Sequence, residues 1–247
     1  MIDWDQLVEI FRRAETWVGF TGAGISAESG IPTYRGTGGA LWSKYDPNIY
    51  ASVSGFMNDP TYYWSFFRDE RYPILKSAKP NAAHQTLAEW ETAGKIRCVI
   101  TQNIDGLHRA AGSKDVIELH GNTRRFYCLE CGKEYSHEEA YQMMQEVMPP
   151  PCDDCSGRIR PDVVFFGEML PKDALERAYQ EAEQCDLMLA VGSSLGVYPA
   201  ADIPQQAVAN GAELVIINRD PTPLDGIARA VIREPAGEVL PRLSEEM

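Results

Sequence analysis

The chain has few basic residues and no long apolar run. Its 247 residues include 23 Lys and Arg against 36 Asp and Glu, a formal net charge of −13. This balance argues against non-specific nucleic-acid binding, because phosphate contacts need a cationic surface. No apolar run could span a bilayer, and the first residues lack the basic and apolar regions of a secretory signal. We expect a cytoplasmic monomer that binds neither nucleic acid nor membrane; its acidity favours a basic partner or simply aids solubility.

Histidine and cysteine are also scarce. The chain has four histidines and six cysteines, and four of the cysteines form Cys128-x-x-Cys131 and Cys152-x-x-Cys155. Two CxxC pairs at this separation are typical of a zinc ribbon, where four thiolates complete a tetrahedral shell and the metal is structural. Two redox pairs or two disulfides are the alternatives, and the lack of a secretory signal disfavours disulfides.

A glycine-rich stretch from Thr21 to Gly36 follows an apolar run, residues 17–20, that predicts a buried strand. Gly22, Gly24 and Ala27 match the permissive GxGxxA pattern. Glycine allows a sharp turn and the close approach of a phosphate, while free N–H groups at a helix start attract anions. The pattern indicates a dinucleotide-phosphate loop, although short glycine turns that bind nothing share it.

Strands and helices alternate along most of the chain. The predicted strands cover residues 17–20, 96–101, 116–119, 162–166, 187–191 and 213–217. The predicted helices cover residues 3–14, 81–94, 107–112, 173–184, 205–210 and a segment from about 236. This order predicts an α/β fold, a Rossmann-like doubly wound parallel sheet with polar, ligand-facing residues where its strands end.

Two segments interrupt the alternation. Residues 37–75 are crowded with aromatic side chains and prolines, which predicts a packed helical module or the wall of a groove. Residues 126–157 hold the four paired cysteines and predict a zinc-ribbon insertion. We expect these two segments to form a smaller domain beside a Rossmann-like domain composed of residues 1–36, 76–125 and 158–247.

Polar residues follow several predicted strands. Gln-Asn-Ile-Asp at residues 102–105 and His120 lie at the edge where open α/β sheets bind ligands. A histidine with a pKa near 6.5 can act as a general base, or it can simply be satisfied by backbone. Gly-Ser-Ser-Leu-Gly at residues 192–196 has the GxSxG spacing of a hydrolase nucleophile elbow. That fold needs a histidine after the serine, and none occurs beyond His137, so chain order excludes a hydrolase.

Taken in order, these motifs closely resemble those of the sirtuins, the NAD-dependent protein-lysine deacylases. The matching segments are the glycine loop, residues 102–105, Leu-His-Gly at 119–121, both CxxC pairs, residues 163–168, residues 192–194 and Asn218. They cover nearly the whole chain. The resemblance implies NAD as a co-substrate, one structural zinc ion and acetylated lysine-containing proteins as partners.

The resemblance also implies roles for individual residues. The catalytic residues would be His120, the base that deprotonates a ribose hydroxyl, and Asn103. The cofactor-binding residues would be Gly22, Ala23, Gly24, Glu28, Thr33, Tyr34, Arg35, Gln102, Asn103, Ile104, Asp105, Gly192, Ser193, Ser194, Asn218, Arg219, Asp220 and Ala236. Asp105 would hold the nicotinamide carboxamide. The substrate would contact Phe67, Val163, Val164, Phe165, Phe166 and Gly167, the last five by pairing with the peptide as an added strand.

The implied reaction is deacetylation of lysine with release of nicotinamide and O-acetyl-ADP-ribose. Desuccinylases of the same family bind the acidic acyl chain with a tyrosine and, three residues on, an arginine. When the chain is aligned with these desuccinylases through Trp64, Phe67 and Glu70 occupy the tyrosine and arginine positions. A glutamate in place of the arginine predicts deacetylation rather than desuccinylation. A one-residue slip in the alignment would instead supply a cation from Arg68 or Arg71. A deacylase for longer or acidic acyl groups, a protein ADP-ribosyltransferase, and an NAD sensor or scaffold without turnover remain alternatives.

Overall fold

A computed structural model describes residues 4–34 and 41–247 of the chain. Its helices are α1 (Trp4–Arg13), α2 (Pro47–Tyr50), α3 (Val53–Asn58), α4 (Pro60–Phe66), α5 (Tyr72–Ser77), α6 (Ala82–Thr92), α7 (Leu107–Ala111), α8 (His137–Glu146), α9 (Lys172–Gln184), α10 (Asp202–Ala209) and α11 (Ala236–Glu246). Its strands are β1 (Trp17–Thr21), β2 (Ile96–Thr101), β3 (Val116–Glu118), β4 (Gly121–Cys128), β5 (Glu134–Ser136), β6 (Ile159–Val163), β7 (Leu187–Val191), β8 (Glu213–Ile217) and β9 (Ala230–Ile232). Tighter 3-10 turns span Ala23–Ser29 and Leu41–Ser43, and one π-helical turn spans Phe67–Arg71.

The larger sheet confirms the predicted fold class. Six parallel strands lie in the order β3-β2-β1-β7-β8-β9. Every residue of the two central strands, β1 and β7, is buried, as expected for strands covered on both faces. The strand order reverses between β1 and β7, and open α/β sheets bind their ligands in the crevice at such a point.

Helices cover both faces of this sheet. On one face, α1, α6 and α11 bury large side chains such as Phe11, Trp90 and Leu240 against the strands. On the other, α9 and α10 contribute smaller ones, including Ala178 and Ile203. Among residues 4–34 and 41–247, no helix is long and apolar enough to cross a bilayer.

A second, antiparallel sheet of order β5-β4-β6 carries the paired cysteines. The aromatic segment packs against it: Trp64 stacks on Phe126 with ring centroids 5.4 Å apart, and its indole N–H donates to the carbonyl of Ile159. The two segments that interrupt the α/β pattern therefore share one core. The predicted domain boundaries stay a prediction, and β4 and β6 extend beyond residues 126–157 to Gly121 and Val163.

The start of α6 and the ends of β6 can be compared with the sequence-based predictions. Asn81 caps α6 as predicted, since its side chain accepts hydrogen bonds from two backbone amides of the first turn. The strand expected at residues 162–166 begins earlier, at Ile159, and ends at Val163. It ends there because Phe166 leaves the sheet and pairs with the helical segment, donating to the carbonyl of Ala51 and accepting from the amide of Val53.

Candidate active site and metal centre

A cavity of about 790 Å³ opens at the carboxyl ends of β1, β2, β7 and β8, and the antiparallel sheet closes its other side. Its size falls in the range of small-molecule sites. It is lined by His120, by all six predicted substrate residues and by all predicted cofactor residues except Arg35 and Asp105. Arg35 lies outside the described residues. Sequence motifs spread from residue 22 to residue 236 thus meet in one place.

The glycine loop packs directly against the end of β7. The amide of Gly24 donates to the carbonyl of Gly192 at 2.7 Å, and the amide of Gly22 donates to that of Val191 at 3.1 Å. A Cβ atom added to Gly24 would lie 2.7 Å from the Cα atom of Gly192, too close for any side chain. Only glycine lets these two strand ends approach so closely, and the same absence of side chains exposes backbone to a ligand.

His120 is oriented by the strand beside it. Its Nδ1 atom lies 3.0 Å from the backbone carbonyl oxygen of Gln102. A carbonyl only accepts, so Nδ1 carries the proton and Nε2 of the neutral ring is free to take one up. Burial lowers the pKa of His120 below its usual value, and the hydrogen bond to Gln102 only partly opposes this. The imidazole is therefore neutral at physiological pH, as a general base must be.

Gln102 and Asn103 connect the loops around this histidine. The Gln102 side chain donates to the hydroxyl of Ser193 at 2.8 Å. The Asn103 amide donates to the carbonyl of Gly22 at 3.1 Å and to the hydroxyl of Ser26 at 3.2 Å. Both side chains hold the glycine loop and the β7 loop in place at the edge of the cavity.

Asp105 does not line the larger cavity, and its implied contact with the nicotinamide carboxamide stays a prediction. Its carboxylate accepts from the Ser26 hydroxyl at 2.8 Å and from the amide of Leu107 at 2.9 Å. It borders a separate, smaller cavity of about 350 Å³. The hydroxyl of Ser26 lies 3.4 Å from Nε2 of His84, so Asp105 belongs to a polar network beneath the glycine loop. Ser26 was not predicted as a site residue, because a serine in a glycine-rich loop carries no sequence signal of such a network.

The far end of the cavity is built from α11 and the loop after β8. The Glu28 carboxylate accepts from the amide of Gly237 at 2.8 Å, which ties the glycine loop to the start of α11. The Asn218 side chain donates to the carbonyl of Asp220 at 2.8 Å. Arg233 donates to the carbonyls of both residues, so the backbone of this loop is held from both sides.

An aromatic wall bounds the opposite end. Tyr34 stacks on Trp42 with ring centroids 5.3 Å apart. Arg71, at the end of the π-helical turn, donates from Nη2 to the Tyr34 hydroxyl at 3.1 Å. Phe67 and Arg71 both line the cavity.

The structure differs from the sequence alignment at the position three residues after Phe67, where the alignment placed Glu70. Glu70 is not among the residues that line the cavity; its carboxylate hydrogen bonds to Tyr45 and raises the pKa of that phenol to about 12. The π-helical turn adds one residue per turn, so Arg71, four residues after Phe67, faces the cavity instead. The acidic filter expected at Glu70 is therefore absent from this wall.

Residues 163–167 run along the cavity between the two sheets. The amide of Val164 donates to the carbonyl of His120 at 2.9 Å, which fixes this segment to the histidine. Arg160 and Glu168 brace it from behind: the guanidinium donates to both carboxylate oxygens and to the carbonyl of Val163. Glu168 also accepts from the amide of Phe165.

The four paired cysteines form a compact cluster, the only one of three or more His, Cys, Asp or Glu ligands in the described part of the chain. Their Sγ atoms all lie within 4.8 Å of one another, with Cys128 and Cys155 at 3.5 Å and Cys131 and Cys152 at 3.6 Å. A tetrahedral zinc site with Zn–S bonds of about 2.3 Å places its sulfurs about 3.8 Å apart. The cluster fits one zinc ion, and all six cysteines of the chain are free thiols rather than disulfides.

The parallel sheet, the glycine loop and the cysteine cluster define an α/β nucleotide-binding protein with a zinc ribbon. The family model of the Sir2 family matches residues 22–199. The NAD-dependent protein deacylase 2 of Archaeoglobus fulgidus is 47% identical over 240 residues, covering 97% of this chain and 94% of the relative. The NAD-dependent protein deacetylase of Saccharolobus solfataricus is 49% identical over 230 residues, covering 93% and 91%. The chain belongs to the Sir2 family.

Solved structures agree with this assignment. A Sir2 protein in complex with a p53 peptide and NAD+ matches with a TM-score of 0.92 and 42% identity. The match covers 99% of this chain and 98% of the other. Fold and sequence therefore agree over nearly the full length of both proteins.

Proposed function

We propose that the protein removes acetyl groups from lysine side chains of peptides or proteins and consumes NAD in the reaction. The observation that carries this proposal is that His120, a neutral histidine with its proton held on Nδ1, lies in the same cavity as the glycine loop. The names of the curated relatives support the same activity. The acidic surface supports basic, lysine-containing partners in the cytoplasm, rather than nucleic acid or membranes, and we propose that the enzyme acts as a monomer.

The residues around the cavity suit a dinucleotide. Two loops without side chains at their closest point, around Gly24 and Gly192, leave backbone accessible for a diphosphate. Further along, Asn218 and the start of α11 provide the polar and apolar surfaces that an adenosine needs. When bound, NAD would supply the ribose carbon that accepts the acyl oxygen.

His120 would take up a proton at Nε2. Because Gln102 holds the proton on Nδ1, the ring does not need to change tautomer before acting. Gln102 would hold the loop after β7 in place through its bond to Ser193, and Asn103 would hold the glycine loop through its bond to Gly22. The peptide would lie along residues 163–167, which are anchored to the backbone of His120.

The test compares His120→Ala with the wild type and with His137→Gln, a half-buried histidine outside the main cavity. An acetyl-lysine peptide is incubated with and without NAD, and peptide, nicotinamide and O-acetyl-ADP-ribose are followed by mass spectrometry. The wild type and His137→Gln should deacetylate only with NAD, and His120→Ala should lose at least a thousandfold in kcat while staying folded. An active His120→Ala enzyme, or NAD consumption that leaves ADP-ribose on the peptide, would contradict the proposal.

A further inference from the structure

The helical segment formed by α2, α3 and α4 presents an aromatic surface to solvent. Ile49 is 42% exposed and Tyr62 is 48% exposed, while Tyr45 and Tyr50 are half-buried. The ring centroids of Tyr50 and Tyr62 lie 6.0 Å apart and those of Tyr45 and Tyr50 lie 5.1 Å apart, both pairs edge to face. We call these four residues the tyrosine face. Exposed apolar side chains that touch one another, unlike those scattered singly, mark an interaction surface.

The tyrosine face is continuous with the wall of the main cavity. Phe66 lines that cavity, and its ring centroid lies 5.0 Å from that of Tyr45 and 5.8 Å from that of Tyr50. Ala51, the residue after Tyr50, also lines the cavity, and its carbonyl accepts a hydrogen bond from the amide of Phe166. Phe166 belongs to the segment that would hold the peptide. A chain that leaves the cavity on this side therefore meets the tyrosine face next.

Two carboxylates lie at the starts of the helices that carry this face. Asp46 caps α2, which contains Ile49, and Asp59 caps α4, which contains Tyr62; each side chain accepts from a backbone amide of the first turn. Neither carboxylate belongs to an ion pair within residues 4–34 and 41–247. Lys44 is the only Lys or Arg in the sequence from residue 41 to residue 66. Two negative charges thus lie close to the exposed rings.

Tyrosine rings beside carboxylates suit a basic partner that also has apolar side chains. A guanidinium can stack on the face of a tyrosine ring while a neighbouring carboxylate attracts its charge. Tyrosine is enriched in protein interfaces because its ring contributes a large contact area and has few rotatable bonds to order. The net charge of −13 would repel an acidic chain and attract a basic one.

We propose that the tyrosine face is a second docking site for the substrate, where a basic, partly apolar segment of the acetylated chain binds outside the cavity. The two sites are then linked by one polypeptide, so binding at the face raises the effective concentration of acetyl-lysine at the cavity. The face adds affinity and takes no part in the reaction. This inference rests on the proposed deacetylase function, because it assigns how substrates of the same cavity are selected.

The test uses three peptides that share one short acetyl-lysine core. The first is the core alone, the second is extended at both ends with arginine and leucine, and the third is extended equally with glutamate and leucine. KM and kcat are measured at saturating NAD, and binding of each labelled peptide is measured by fluorescence anisotropy without NAD. Thermal unfolding checks that every variant stays folded.

The variants alter the face or its charge separately. Tyr62→Ser and Ile49→Ser each remove one exposed apolar side chain. Asp46→Asn combined with Asp59→Asn removes both charges and retains the caps, because asparagine caps a helix as well as aspartate does. The matched control is Ile227→Ser; Ile227 is 50% exposed, lies between β8 and β9 and does not line the cavity.

We expect the wild type to have a KM at least fivefold lower for the basic extended peptide than for the core, with kcat changed less than twofold. The acidic extension should give no such gain. Tyr62→Ser and Ile49→Ser should each lose most of the gain and keep their kinetics on the core within twofold. The double asparagine variant should lose about half of the gain, and added salt should reduce the gain of the wild type. Ile227→Ser should behave as the wild type.

Three results would overturn the inference. One is a wild type with the same KM for the core and the basic extended peptide, and another is a full gain that persists in Tyr62→Ser and Ile49→Ser. The third is an equal loss on the core and on the extended peptide in these variants, which would give the face a structural role only. Absence of turnover for every peptide would refute the deacetylase function itself, and the anisotropy comparison would still decide whether the face binds the basic extension.

Discussion

The Nδ1 atom of His120 and the backbone carbonyl oxygen of Gln102 lie 3.0 Å apart. The contact joins the second residue after β3 to the first residue after β2, and these two strands are neighbours in the parallel sheet. Because a backbone carbonyl cannot be removed by a side-chain substitution, the fold itself sets the tautomer of this histidine. The rest of the ring faces the cavity, so its basicity depends mainly on burial.

The pH dependence of deacetylation should report the pKa of His120. Burial lowers this pKa, so the neutral form persists to lower pH than for a free histidine. Activity requires the neutral ring; it should be full above the folded pKa and lost as pH falls through it. We expect the acid limb of kcat/KM to be centred below about 6.5.

This profile is measured with an acetyl-lysine peptide that lacks Asp, Glu and His, so that the substrate does not titrate in the same range. An acid limb centred above about 7 would show that some other group controls the rate, because burial lowers the pKa of His120 by more than the hydrogen bond to Gln102 raises it.

Much of the fold was predictable because its signals are local. The cap at Asn81, the buried runs of β1 and β7 and the two CxxC pairs each depend on residues close in sequence. The polar residues after β2 and β3 were expected at one edge because parallel strands end together. That rule placed Gln102 and His120 in one cavity before any contact was known.

The remaining features depend on geometry that sequence spacing does not reveal. The extra residue in the π-helical turn exchanges Glu70 for Arg71 at the cavity, and the alignment assumed a uniform helix. The partner of Asp105 is Ser26, about eighty residues away, which no local pattern indicates. The aromatic segment was expected to join the cysteine-bearing insertion in a smaller domain, but its sequence did not decide between packed core and groove wall, since both use the same residue types.

Replacing Gly24 by Ala should weaken the binding of NAD. The added Cβ would meet the backbone of Gly192 at 2.7 Å, so one of the two strand ends must move. We expect a loss of about 1–3 kcal/mol of stability, typical of overpacking, and a clear rise in KM for NAD. The control is Gly226→Ala, where nothing lies within 4 Å of the added atom. Thermal unfolding and NAD titration measure both effects, and an unchanged KM would separate this loop from NAD binding.

Substituting Glu168→Gln should destabilise the peptide-facing segment. It leaves the buried guanidinium of Arg160 without its carboxylate, at a cost of about 3 kcal/mol in the free energy of unfolding. Since the segment of residues 163–167 loses its brace, KM for the peptide should rise more than KM for NAD. Glu176→Gln, which breaks the exposed pair with Lys172, should cost less than about 0.5 kcal/mol.

The Arg160–Glu168 pair should also contribute to stability in a pH-dependent way. Burial alone would raise the pKa of Glu168, but the hydrogen bonds and charge of Arg160 outweigh it, and the pKa is lowered overall. The stabilisation is therefore full above the ordinary glutamate pKa of about 4.5 and is lost as pH falls through the folded value. Urea unfolding between about pH 3 and 7 should show that the free energy of unfolding falls less with acidification in Glu168→Gln than in the wild type. The same pH dependence of this free energy in both proteins would contradict the assignment.

Removal of zinc should unfold the antiparallel sheet and with it the peptide-facing wall of the cavity. The four sulfurs hold together the loops before and after β5 and α8, and without the metal their thiolates would repel one another. The purified enzyme should contain one zinc ion per chain, and chelation should abolish deacetylation together with part of the cooperative thermal transition.

Cys152→Ser provides the matched variant for the metal site, and Cys185→Ala its control. Cys185 is buried in the core of the parallel sheet, far from the cluster in the fold, so its loss should lower stability and leave the zinc content at one per chain. Cys152→Ser should lose most of its zinc by elemental analysis. Full zinc content in Cys152→Ser would mean that the metal is held elsewhere. Zinc-free enzyme with undiminished activity would show that the cluster does not support the catalytic cavity.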